Sequence, residues 1–146
     1  MPEEKAPETR IVAAPITLVK KTVTRLNFDG TPREGVIPGV SSDIDLNIET
    51  KRRPGALDGR DAIEAILTVR SKPLGEAPFY TVDAEVRGLY EMVGEGNISD
   101  ERAERFVKLR GMEELYDFFR LLMTIITTDG HYGQMLLPTI SVAQID

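Results

Sequence analysis

The chain is 146 residues long, carries a net charge of -6 and contains no cysteine. That length suits one domain, which buries roughly 68–70% of its unfolded surface and needs no covalent staple. Without cysteine there is no disulfide, thiolate metal site or cysteine nucleophile. The acidic balance and scattered basic residues argue against nucleic acid, whose backbone is bound by Lys and Arg displacing counterions.

Residues 1–14 hold Pro2 and Pro7 among charges, with too little apolar content to offset ordering entropy. A flexible N-terminal arm is therefore expected ahead of a single domain over 15–146. The arm lacks the apolar run of a secretory signal, and no stretch approaches the ~20 apolar residues of a membrane span. The expected address is cytoplasmic, without membrane insertion.

From Ile16 to Phe28, β-branched and apolar residues predict a first strand. Its apolar phase moves from Ile16 and Leu18 to Val19 and Val23, then returns at Leu26 and Phe28, so a bulge or bend is expected. Glycine and proline mark the following residues as loop up to Ser42. In the second strand Ile44, Leu46 and Ile48 alternate with Asp43, Asp45, Asn47 and Glu49, giving one buried and one wet face. Pro54-Gly55 and Asp58-Gly59 read as a connector, long for a hairpin. Ile63, Ala65, Leu67 and Val69 form a third strand, and alternation from Tyr80 to Met92 a long fourth.

Ser99 followed by Asp100 and Glu101 starts a helix, with a hydroxyl to cap free amides and acids at the positive dipole end. Ala103, Phe106 and Val107 form the apolar side of this short first helix, which Gly111 is expected to interrupt. A second helix over 112–126 places Met112, Leu115, Tyr116, Phe119, Leu122, Met123 and Ile126 on one stripe. Phe118, Leu121 and Ile125 widen that stripe beyond what a small sheet covers, so part of it is expected to meet another subunit or a ligand. Asp129-Gly130 is expected to close the helix with a positive-φ residue. Strands first and helices last predict an α+β fold: a four-stranded antiparallel sheet followed by two helices packed on one face.

Catalytic chemistry is hard to assemble. His131 is the lone histidine and reads as a solvated loop residue, while Gly94-Glu95-Gly96 lacks the lysine of a phosphate loop. Asp43 and Asp45 lie on a wet strand face without a third ligand nearby. Asp83, Glu85 and Glu91 fall on the polar phase of the fourth strand, where nothing raises a carboxyl pKa for acid–base work. No enzyme, metal or cofactor is expected.

Leu115-Tyr116-Asp117-Phe118-Phe119-Arg120, then Asp129-Gly130-His131-Tyr132 and Leu136-Leu137-Pro138, together resemble the SecB-like export chaperones. Upstream, Leu74-Gly75-Glu76 before a strand ending Gly88-Leu89-Tyr90 is similar as well. The resemblance covers roughly residues 16–142, and it describes a divergent member in which no helical tail follows Gln144-Ile145-Asp146. It implies a homotetramer, a dimer of dimers, that acts as an ATP-independent holdase for unfolded preproteins and delivers them to the SecA motor. The client-binding candidates it suggests are Tyr80, Leu89, Tyr90, Phe106, Tyr116, Phe119, Leu122 and Met123. By position, Asp29 and Asp83 match acids with which the family docks on SecA, whereas Arg25 stands where another acid would be. Two alternatives share the scaffold: a dedicated chaperone of one partner such as an antitoxin, and an oligomeric assembly protein that binds no client.

Overall fold

The computed structural model describes residues 16–31, 42–75, 78–92 and 99–138. Its elements are β1 (Ile16–Asp29), β2 (Ser42–Leu57), β3 (Arg60–Pro73), β4 (Thr81–Met92) and one helix, α1 (Asp100–Ile126). The strands form a single antiparallel sheet in the order β1-β4-β3-β2, so β1 and β2 occupy opposite edges. The fold is α+β, with α1 against one sheet face.

The alternation seen in the sequence decides which face is dry. Ile63, Ala65, Leu67 and Val69 of β3 and Val82, Ala84, Val86 and Tyr90 of β4 are buried beneath α1. The helix contributes Ala103, Val107, Leu115, Tyr116, Phe119 and Met123 to that core. The phase change in β1 corresponds to two register shifts against β4, between Leu18 and Lys20 and between Val23 and Arg25. Each inserts a residue and bends the strand.

Three local expectations need correction. The predicted connector between the second and third strands is itself strand: β2 continues to Leu57, and the turn is only Asp58-Gly59. Both turn residues have positive φ, 50° and 86°, which is the two-residue hairpin that Asp-Gly favours. Pro54 is tolerated because β2 is an edge strand and the ladder shifts register between Arg53 and Leu57.

The helices are one, not two. Residue Gly111 lies inside a continuous helix of 27 residues, capped at Ser99, whose side chain accepts from the Arg102 amide. A Cβ at Gly111 would stand 2.8 Å from the Ala65 Cβ, so glycine here permits close approach of helix and sheet. Likewise Gly130 does not close the helix by positive φ. The helix ends at Thr127, whose hydroxyl donates to the Met123 carbonyl at 2.6 Å, and a Cβ on Gly130 would fall 2.1 Å from the Tyr80 hydroxyl.

The close contact at Gly111 gives a stability test. Gly111→Ala gains helix propensity, but its methyl meets a backbone-borne Cβ that cannot rotate away, so overpacking dominates. The variant is expected to lose about 1–2 kcal/mol, read as a lower urea midpoint with an unchanged m-value.

Candidate interaction surface

The end of α1 is built around the Tyr80 hydroxyl. It donates to the Gly133 carbonyl at 2.6 Å and accepts from the Tyr132 amide at 3.1 Å. Around its ring stand Phe28, Phe79 and Tyr132, with centroids 5.3, 5.0 and 5.2 Å away. Tyr132 in turn donates its hydroxyl to the Thr31 carbonyl at 2.7 Å, tying the turn after α1 to the end of β1.

Beyond this turn, residues 133–138 run back along α1 outside the sheet. Side chains of the helix hold their backbone. The Thr127 hydroxyl accepts from the Met135 amide at 2.7 Å, Arg120 Nε donates to the Leu137 carbonyl at 3.1 Å, and the Tyr116 hydroxyl donates to the Pro138 carbonyl at 2.8 Å. Met135 and Leu137 point into the core, and Leu136 between them is 75% exposed.

Leu136 is not alone. On the outer side of the last helical turns, Leu121 and Ile125 are 59% and 63% exposed, and Ile126 is also open. Phe118 and Leu122 are half-buried beside the core, with the Lys21 ammonium 4.8 Å from the Phe118 ring centroid. Thr124, one turn on from Leu121, donates to its own helix at Arg120 and leans toward the Met135 carbonyl. The end of α1 thus presents a short apolar strip of Leu121 and Ile125, one turn apart, and the returning segment carries an exposed Leu136.

The eight sequence candidates are distributed differently. Tyr80, Tyr90, Tyr116, Phe119 and Met123 are core residues of the single chain, because the inward phase of β4 and the inward stripe of α1 carry them under the helix. Leu122 and Phe106 are half-buried on opposite halves of α1, and Arg110 stacks toward the Phe106 ring. Leu89 lies on the far sheet face, opposite Lys20 and Glu64 in register. The set is therefore divided among the core, the two halves of α1 and the far sheet face. The exposed Leu121, Ile125 and Leu136 lie outside the candidate set, although the excess width at Leu121 and Ile125 is a visible signal.

Asp29 and Asp83 do come together, lining with Leu26, Asn27, Phe28, Thr81 and Val82 a shallow cavity of about 420 Å³ at one end of β1 and β4. Asp83 is paired with Arg25 at 2.9 Å, so the residue that reverses one expected charge also neutralises another. Asp29 accepts from the Thr31 amide at 2.8 Å.

The sheet face away from α1 is ionic. Glu64 bridges Arg53 and Arg87 at 2.8 and 3.1 Å, Arg87 reaches Glu85, and Arg60 pairs with Glu91. The Thr24 hydroxyl bonds Glu85 and, with Arg87, holds its carboxyl below the ordinary value of 4.5; the Arg87 guanidinium is pushed up in return. Among the described residues there is no cluster of metal-ligating side chains, and no helix is long and apolar enough to cross a membrane.

No protein-family model and no curated protein matches this sequence. Among solved structures, the Mycobacterium tuberculosis SecB-like chaperone Rv1957, in complex with a ChAD peptide from the Rv1956 HigA1 antitoxin, superposes with a TM-score of 0.67. The fold is SecB-like. Identity is 14%, and the match covers 88% of this chain and 90% of the other. A protein of unknown function from Streptococcus agalactiae is also similar, with a TM-score of 0.53 at 11% identity over 86% of this chain and 97% of that one. At such identities the likeness carries the SecB-like architecture, while the chemistry must come from this chain's own side chains.

Two experiments follow. Tyr80→Phe and Tyr116→Phe each strand backbone groups and are expected to cost about 1–2 kcal/mol, whereas Tyr90→Phe, which removes a buried hydroxyl with no partner among the described residues, should be neutral or stabilising. Thermal unfolding of the three variants checks the order. Because the Glu85 pKa is lowered, its contribution is present above pH 4.5 and is lost as the pH falls through the depressed folded value. Thr24→Val should therefore be less stable than wild type at pH 7, with the gap closing on acidification in urea titrations.

Proposed function

We propose that this protein is a chaperone without catalytic activity, which holds a polypeptide client on the apolar strip of Leu121 and Ile125, with the exposed Leu136 as a further contact. The observation that carries the reading is the exposure of this strip on a SecB-like fold. Each large apolar side chain left in water forgoes about 25 cal/mol per Å² of burial, a gain that any client of adequate hydrophobicity supplies without sequence-specific contacts. Half-buried Phe118 and Leu122 extend the strip with adaptable area.

The working form is a cytoplasmic homotetramer, a dimer of dimers. A dedicated client is favoured over general delivery to SecA by two observations. The SecB-like chaperone with the same architecture is bound to a peptide from an antitoxin. Here the Asp83 carboxylate, one of the two acids that would meet SecA, is already neutralised by Arg25.

The double variant Leu121→Glu/Ile125→Glu places two carboxylates on exposed positions and should leave folding intact. It is expected to lose most of the wild-type protection of a slowly refolding client against aggregation, with unchanged solution mass; Leu136→Glu should do so in part. Full protection by the double variant sinks the proposal. A fall in solution mass would instead assign the strip to subunit assembly.

A further inference from the structure

The segment that returns along α1 is held through its peptide groups. The Thr127 hydroxyl accepts from the Met135 amide, Arg120 Nε donates to the Leu137 carbonyl and the Tyr116 hydroxyl donates to the Pro138 carbonyl. Among the described residues, no backbone–backbone hydrogen bond joins 134–138 to another element; the last such bond runs from the Gly133 amide to the Gly130 carbonyl. A peptide carbonyl is offered by every residue, and a peptide amide by every residue but proline. These three helix side chains therefore hold extended backbone without selecting its sequence.

Selection comes from alternation. Met135 and Leu137 are 1% and 7% exposed and belong to the core cluster of Tyr116, Phe119 and Met123, while Leu136 between them faces water. The requirement is for two apolar side chains two residues apart on extended backbone, a pattern that any strand-forming stretch of an unfolded chain presents. We propose that residues 133–138 are an internal ligand. They fill a second client site beside α1, and an extended client segment with apolar residues at i and i+2 displaces them and puts its own pair where Met135 and Leu137 sit. That the occupant is a client polypeptide rests on the chaperone reading; the site itself is separate from the exposed strip.

The internal ligand enters through one glycine. Gly133 has a φ of 82°, and its Cβ position is open, with no heavy atom within 4 Å. The left-handed backbone there sets the direction in which the segment leaves the turn, and a side chain at Gly133 opposes that direction without touching the site. A tethered ligand is present at a high effective concentration, so a free peptide competes poorly while the segment is seated. The apparent affinity for the peptide rises in proportion to the fraction of chains whose segment is displaced.

The test uses the full chain and a fluorescein-labelled peptide with the sequence of residues 131–138, read by fluorescence anisotropy. Leu137→Ala weakens the internal ligand at one of its two buried side chains, and Gly133→Val weakens it at an exposed turn while leaving every buried side chain in place. Each variant is expected to bind the peptide at least about fivefold tighter than wild type, because each raises the displaced fraction. The same peptide carrying Met135→Ser/Leu137→Ser should bind the variants no tighter than it binds wild type. The proposal is overturned if neither variant gains affinity, or if the serine peptide gains as much. It is also overturned if adding Leu121→Glu/Ile125→Glu to Gly133→Val abolishes the gain, which would put the peptide on the exposed strip. Where Leu137→Ala unfolds the chain, Gly133→Val decides alone. Failure here leaves the chaperone reading intact, since protection of a client by the strip is measured without this peptide, and a strip that proves inert does not alter the gain expected of Gly133→Val.

Discussion

The architecture depends on how closely α1 can lie on the sheet. Gly111 sets that distance on the β3 side, and Gly88 plays the same part on β4, where an added Cβ would come within 3.0 Å of Leu115 and Leu18 side-chain atoms. With the helix drawn in at these two points, Leu115, Tyr116 and Phe119 reach full burial over a sheet of only four strands. The inner core is then filled, and the same rotation of the helix leaves Leu121 and Ile125 outside it. The surplus apolar surface is a geometric consequence of the helix seating, not a failure of packing.

Much of the fold was legible in the sequence because strand alternation is local. The inward sets of β3 and β4 could be read almost residue by residue, and even the interruption of β1 showed as a change of apolar phase. What stayed hidden involved contacts between distant segments. A glycine that ends a helix and a glycine that lets a strand approach are the same letter, so Gly111 read as a break and Gly130 as a cap, while Ala65 and Tyr80 are what they accommodate. Pro54-Gly55 masked the hairpin because an edge strand can absorb a proline that a central strand cannot.

The interaction surface was legible in part. An over-wide apolar stripe on the last helix announced surplus surface, but periodicity does not say which flank of the stripe is outside. Tyr116, Phe119 and Met123 carry the largest side chains and so drew attention, yet large side chains are what a core uses to fill volume. Leu136 was read only as part of a Leu-Leu-Pro run. Its exposure arises because a run of extended backbone sends neighbouring side chains to opposite sides, so that Met135 and Leu137 go in and Leu136 goes out.

The anchors along residues 133–138 have a graded reach. Threonine hydroxyls hold the segment at Met135, an arginine holds it at Leu137 and a tyrosine hydroxyl holds it at Pro138. Short arms hold one end of the segment and long arms the other, and the Leu137 side chain between the last two anchors is buried. The strap is thus attached to α1 through side chains rather than through a backbone ladder. A strap held this way can be retuned one anchor at a time, leaving the sheet and its register untouched.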